Sequence, residues 1–249
     1  MMNPAELVNI ERLESQLWWY RGMREITFAL LDPLVKGTAP RILDAGAGTG
    51  FFAQLLSQRY GAVVVAVDLE RRAVHSCWRR HRIPSVQASV VALPLREATF
   101  DVVVLLDVLG HLLPGHELVA LSESHRVLRV GGHLLLRVPA LNVLRSRHSE
   151  FIWEKQRFTS RRLRQLLIQA GFVPLRLTYA NSLLSPIALF KFRVWVPLTR
   201  AQPRSGLMLL PWPLESVFYA ALKFESSLIQ KGINLPFGQS LFAVSCKCR

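Results

Sequence analysis

Apolar positions along this chain follow two rhythms that alternate. Short unbroken apolar runs occupy 41–45 (RILDA), 62–68 (AVVVAVD), 100–107 (FDVVVLLD) and 133–139 (HLLLRVP). Rich in Val and Leu and too short for helices, they predict strands buried on both faces. Between them, apolar residues return every three or four positions. That spacing predicts helices over 49–60, with Phe52, Leu55, Leu56 and Arg59 spaced for a face, over 69–81, over 115–132 ending at glycines, and over 159–172. The last has Thr159 as its N-cap, Gly171 just past its end and Leu163, Leu166, Leu167 and Ala170 as its buried stripe.

Strands that alternate with helices predict an α/β fold, a mostly parallel sheet covered by helices on both faces. Two further strand-like runs, 173–180 and 240–248, frame a Pro-, Leu-, Phe- and Trp-rich stretch. A structureless loop of that length is improbable. Helices are therefore expected at 183–194 and 212–231, as an insertion within a strand pair that completes the sheet. No internal repeat interrupts the pattern.

Composition changes this picture in one respect. The chain of 249 residues has a net charge of +14 and a mean hydropathy of +0.25. Residues 1–124 hold 12 Lys and Arg against 13 Asp and Glu, whereas residues 125–249 hold 19 against 4. A basic, apolar second half fits an anionic partner or a membrane surface; the excess of Arg over Lys also fits a bias of base composition. The N-terminal stretch has no signal-peptide pattern, and charge-free runs such as 177–190 are shorter than the ~20 residues a spanning helix needs. Cys77, Cys246 and Cys248 form no disulfide framework, and a C-x-C without a second pair makes a poor metal site, so no metal is expected. A reducing cytosol fits, with a peripheral position on the inner face of the membrane left open.

The chemistry concentrates in Asp44-Ala45-Gly46-Ala47-Gly48-Thr49-Gly50. A glycine turn between a strand and a helix puts bare amides at the carboxyl edge of the sheet, where open α/β sheets bind ligands. Asp68 ends the next strand and can accept bonds from both ribose hydroxyls of a nucleoside. The order D-x-G-x-G-x-G differs from the dinucleotide fingerprint G-x-G-x-x-G. An aspartate inside the turn would repel a pyrophosphate and suits a ligand bearing an ammonium group. This disfavours NAD and favours S-adenosylmethionine.

Four stretches, ILDAGAGTG, VAVDLE, LPLREATFDVVVLLDVLGHL and ESHRVLRVGGHLLLRVPA, together resemble the motifs of class I S-adenosylmethionine-dependent methyltransferases. The ends are similar to a bacterial subgroup of that family: ESQLWWYRGMREI to its WW-aromatic-x-G-x-R leader and LPFGQSLFAVSCK to its C-terminal motif. The resemblance implies a Rossmann-like sheet of seven strands with the last antiparallel. It divides a single domain (1–249) into an N-terminal helical lid (1–38), a cofactor-binding core (39–180), an apolar insertion over the substrate side (181–239) and a final strand (240–249).

The same resemblance implies the roles. Gly46, Gly48 and Gly50, with Ala45 in the same turn, let the backbone approach the cofactor. Asp44 faces its amino group, Arg24 its carboxylate, Asp68 the ribose and Leu69 the adenine. Asp107 and Val108 lie near the sulfonium, and Trp18, Trp19 or Tyr20 caps the site, an aromatic face suiting a cation. Three positions depart from the family pattern. Ser89 replaces an adenine-reading aspartate and Gly110 a common glutamate, and Gln156-Arg157-Phe158 stands where R-R-Y is common, removing a hydroxyl from the substrate side. His111, after Asp107, is the candidate general base; its alternative is a histidine that packs the loop. His116 is expected at the surface, Cys77 in packing, and Arg161, Arg162 and Arg164 on a solvated helix face.

Three functions compete. One is methyl transfer to a small or amphiphilic acceptor such as a saccharide, lipid-linked glycan or quinone-like ring, with Leu183, Leu184, Ile187, Leu189, Phe190, Phe192 and Trp195 as a pocket wall, a membrane-facing surface or the insertion's own core. The second is an RNA methyltransferase, favoured by the positive second half and disfavoured by the absence of a recognition module. The third is a catalytically silent cofactor-binding or membrane-associated interaction protein.

Overall fold

In the computed structural model, residues 3–35, 39–190, 193 and 205–248 are described. Seven strands form one sheet in the order β3-β2-β1-β4-β5-β7-β6. They are β1 (Arg41–Ala45), β2 (Val63–Asp68), β3 (Ser85–Gln87), β4 (Phe100–Leu106), β5 (Leu128–Pro139), β6 (Val173–Ala180) and β7 (Ser240–Cys246). The pairs among β1 to β5 are parallel; β7 runs antiparallel to both β5 and β6. This is the Rossmann-like order the motifs imply.

Alternation along each strand divides the core in two. Leu43, Val103, Leu105, Leu134, Leu136 and Leu241 face a layer holding α5 (His116–Val127) and α7 (Ser160–Gln169). Ile42, Val102, Val104, Leu135 and Phe242 face the other layer, with α2 (Trp18–Leu31), α3 (Phe51–Tyr60), α4 (Arg71–His81) and a long helix, α9 (Trp212–Gln230). Both faces are buried, which is why the strands read as continuous apolar runs.

The expected helix over 115–132 ends at Val127 instead, and β5 begins at Leu128. Leu128 pairs with Phe100, and His133 pairs with Val102 after a break in register. The glycines fall inside this detour: the Gly131 amide donates to Lys247 and the Lys247 amide donates back to Gly132. Pairing with both neighbouring strands outweighs helix continuation here. Thr159 does cap α7, accepting from the Arg162 amide, and Gly171 is left-handed at φ +89°.

The insertion supplies α8 (Ser185–Phe190) and α9, near the two expected positions. The rest of the first expected helix, and with it Phe192 and Trp195, lies outside the described residues. α9 packs on α2, where a Cβ on Gly22 would stand 2.4 Å from that of Leu222. Glu215 of α9 accepts from the Trp18 amide at 2.8 Å, serving the α2 N-terminus that its own N-cap residue, Leu17, leaves without a side-chain bond. Two further helices among the described residues are α1 (Pro4–Leu13) and α6 (Arg147–Phe151); the apolar pattern predicts neither.

Candidate active site

The glycine bend sits where the resemblance places it, and its neighbours explain its composition. The amides of Gly46 and Ala47 both donate to the Val67 carbonyl, at 2.7 and 3.1 Å, tying the bend to the end of β2. Gly46 has φ +87°, and a Cβ there would meet Val108 at 2.2 Å, so no side chain fits between the bend and the loop after β4. The Gly48 amide donates to Asp68 Oδ2 at 2.8 Å, and the Glu70 amide to Asp68 Oδ1 at 2.9 Å. Each carboxylate oxygen keeps a lone pair for a further donor.

These groups border a cavity of about 820 Å³. Of the residues singled out from the sequence, Asp44, Gly46, Gly48, Asp68, Leu69, Ser89, Asp107, Val108, His111, Arg24 and Trp19 line it. Ala45 and Gly50 do not. Ala45 is wholly buried in the core. A Cβ on Gly50 would stand 2.7 Å from Cys77 Sγ, so this glycine lets α3 pack on α4.

Asp44 is buried, and its Oδ2 has no hydrogen-bond partner. Burial, with Asp68 nearby, raises its pKa to about 7. Glu14, in the turn between α1 and α2, was not recognised in the sequence. Its carboxylate accepts from Thr49 Oγ1 at 2.7 Å, and burial raises its pKa to about 7. Arg24 donates to the Glu14 carbonyl and lies 5.2 Å from the Phe51 ring centre. Burial lowers its pKa while the Glu14 charge holds it up. A buried acid, Asp44, a half-buried one, Glu14, and a guanidinium thus surround the bend, a set suited to an α-amino acid group.

The next part of the cavity is built on β4 and β5. Asp107 adopts φ +59°, a strained backbone for a non-glycine residue. Arg137 donates to its Oδ2 from Nε at 3.0 Å and from Nη2 at 2.5 Å, and lies 5.0 Å from the Trp19 ring centre. The only sequence signal for Arg137 is a lone charge in an apolar strand. His111 ends a 3-10 turn (Leu109–His111). Burial pushes its pKa down, and its Nδ1 is buried without a partner. Nδ1 is thus free to accept a hydrogen bond.

Farther from the bend, Arg157 pairs with Glu154 at 2.7 Å and donates to Ser149 Oγ at 3.0 Å. Glu6 Oε1 stands 3.7 Å from His148 Nδ1, but that nitrogen accepts from the Gly206 amide at 3.0 Å. Burial also lowers the His148 pKa, so the ring is neutral and the contact is not an ion pair. The remaining walls include Leu144, Ile152, Leu184, Ile187, Leu207 and Met208.

The departures from the family pattern receive physical reasons. A side chain at Gly110 would collide with Pro139 at 2.8 Å. Phe158 is buried in the core and does not reach the cavity, so its missing hydroxyl removes nothing from the substrate side. Arg162, expected in solvent, donates to Glu117 at 2.6 Å and to Gln156 at 2.5 Å. Gln156 in turn bonds the Leu112 carbonyl, holding the loop that carries His111. His116 is exposed and Cys77 is buried, as expected.

Residues 43–136 match the family model described as a methyltransferase domain. A protein of Mycobacterium tuberculosis named a probable S-adenosylmethionine-dependent methyltransferase is 33% identical over 167 residues, 66% of this chain and 59% of its own length. The chain carries a class I S-adenosylmethionine-dependent methyltransferase domain. Its fold agrees: a crystal structure of an S-adenosylmethionine-dependent methyltransferase from Archaeoglobus fulgidus superposes with a TM-score of 0.58 at 15% identity, covering 91% of this chain and 94% of that one. The phthiotriol/phenolphthiotriol dimycocerosates methyltransferase 1 of Mycobacterium ulcerans is 34% identical over 105 residues, 41% of this chain and 38% of its own length. The chain thus spans less than two thirds of these two curated relatives. The methyltransferase domain's cofactor, S-adenosylmethionine, fits the residues present: an orphaned buried carboxyl at Asp44, a bend closed to any Cβ at Gly46, and acceptor capacity left on Asp68.

Proposed function

We propose that the protein transfers a methyl group from S-adenosylmethionine to a hydroxyl of a small or amphiphilic acceptor. The observation that carries this reading is the continuity of one cavity from the glycine bend, past His111 and Arg137, to apolar walls from α8 and residues 207–210. In this reading Asp68 holds the ribose, Leu69 and Ser89 border the adenine, Asp44 and Glu14 face the ammonium, and Arg24 takes the carboxylate. Gly46 and Gly48 let the backbone close on the ligand, and Val108, Asp107 and Trp19 line its reactive end. The bound cofactor supplies a methyl carbon already activated by sulfonium.

This chain's residues do the rest. The cavity aligns the acceptor and excludes water. His111 Nδ1, neutral because its pKa is depressed, takes the hydroxyl proton. Arg137 fixes Asp107, and with it the loop that presents His111. The relative named for phthiotriol and phenolphthiotriol dimycocerosates supports an apolar acceptor class.

The test is a cell lysate incubated with methyl-labelled S-adenosylmethionine and the protein, then divided by solvent extraction. The reading expects label in the organic phase, dependent on His111. Label confined to RNA, or no transfer from any lysate fraction, would contradict it.

A further inference from the structure

The mouth of the cavity has an unusual surface. Ile187 and Met208 line the cavity and are also 57% and 65% exposed, so the rim itself is apolar. Phe190 lies one helical turn on from Ile187 and is 61% exposed, and Trp212, at the start of α9 between the cavity-lining Leu210 and Leu214, is 80% exposed. Val143 adds to this side: α8 packs against its turn, and Arg193 donates to the Val143 carbonyl at 2.8 Å. Single exposed apolar residues are ordinary; a group of them around one opening is not.

Charge distinguishes this surface further. The insertion carries six basic residues, Lys191, Arg193, Arg200, Arg204, Lys223 and Lys231, against two acids, Glu215 and Glu225. Both acids are buried. Glu215 accepts from the Trp18 and Leu210 amides, and Glu225 from the Leu183 amide. The acids are used inside as anchors for backbone amides, whereas Arg193, Lys223 and Lys231 are exposed. Bulky apolar side chains, a protruding tryptophan and exposed positive charge together match the interface of an anionic bilayer. Among the described residues no helix is long and apolar enough to cross a membrane, so the contact is one of lying on the surface.

We propose that the rim formed by Ile187, Phe190, Met208 and Trp212 docks on an anionic lipid surface, with the cavity mouth facing the bilayer so that the apolar part of the acceptor enters from the membrane. The second half of this statement rests on the methyltransferase reading; the docking itself does not.

The experiment is co-sedimentation of the full chain with phosphatidylcholine vesicles, with and without phosphatidylglycerol. It is run at low and high salt on wild type and on a Phe190→Ser/Trp212→Ser double variant. Neither substituted residue lines the cavity. The expected result is binding to the phosphatidylglycerol vesicles that weakens with salt and falls by on the order of tenfold or more in the double variant, as two large apolar side chains leave the interface. Equal binding by both proteins would mean adsorption by charge alone and overturn the proposal, as would no binding to either vesicle. A wild-type dimer that the double variant loses, without vesicle binding, would assign the rim to a second copy of the chain instead. Cofactor titration on the same samples separates the two readings. Retained cofactor affinity beside failed docking strikes only this inference, and absent affinity beside good docking strikes only the methyltransferase reading.

Discussion

The two ends of the cavity are built in opposite ways. At the bend, Asp44, Gly46, Gly48 and Asp68 come from two neighbouring strands and the turn after the first, and the Gly48 amide bonds Asp68 directly. Polar groups there are buried and left with open valences, as Asp44 Oδ2 is. At the mouth, the walls come from α1, α8, residues 207–210 and α9, so the N-terminal segment and the insertion both contribute. Apolar groups there are exposed. One end pre-arranges charges for a ligand of fixed chemistry, and the other presents a soft, apolar opening. The difference suits an enzyme whose donor is fixed by its family and whose acceptor is its own.

The largest effect should fall where the two ends meet. His111→Ala is expected to lower turnover by roughly 10²–10⁴-fold, the usual contribution of a general base. Steady-state kinetics and cofactor titration on the same variant should find affinity for S-adenosylmethionine unchanged. Unchanged turnover would reduce His111 to packing.

Next comes the join between leader and insertion. Leu222 is fully buried against Gly22. Leu222→Ala should cost about 2–5 kcal/mol of stability, as large-to-small core changes do. Denaturant unfolding measures it. A loss under 0.5 kcal/mol, the range of ordinary surface substitutions, would mean that α9 does not depend on α2.

The pH dependence of stability sharpens the account of the polar end. Asp44 and Glu14 have folded pKa values raised to about 7, against about 4 in an unfolded chain. Each adds stability in full below about pH 4, because both states are then protonated. As pH rises toward 7 the unfolded state releases its protons first, and that contribution is lost. The protein without cofactor should therefore melt at a lower temperature at pH 8 than Asp44→Asn, while Asp44→Asn binds S-adenosylmethionine more weakly. A variant less stable than wild type at pH 8 would contradict the burial argument. The smallest change expected is at Ser89. Restoring the family's aspartate should tighten cofactor affinity by several-fold, about the 1 kcal/mol of one hydrogen bond, measured by the same titration.

What the sequence made legible follows the same division. Short continuous apolar runs located β1, β2, β4, β6 and β7 within a residue or two, because both faces of the sheet are buried. The bend was readable because glycine and aspartate have few reasons to stand together between a strand and a helix. β5 began five residues earlier than the pattern predicts, since its first pairs are with distant residues, Phe100 and Lys247. Glu14 and Arg137 were missed for a related reason. Each acts through a partner far along the chain, Thr49 for one and Asp107 for the other. The mouth was least legible. Leu184 and Ile187 line it as one expectation had it, but Leu183, Leu189 and Phe190 point outward and do not line the cavity. A list of apolar residues does not say which of them will be covered.

In the proposed function the cofactor's ribose sits on Asp68 beside the glycine bend. Calorimetric titration of S-adenosylmethionine into wild type and Asp68→Ala, with melting curves to verify that both are folded, tests it most directly. The account predicts binding by the wild type and a loss of roughly 10- to 100-fold or more in the variant, the scale of charge-assisted hydrogen bonds. Equal affinity in the two proteins would contradict it.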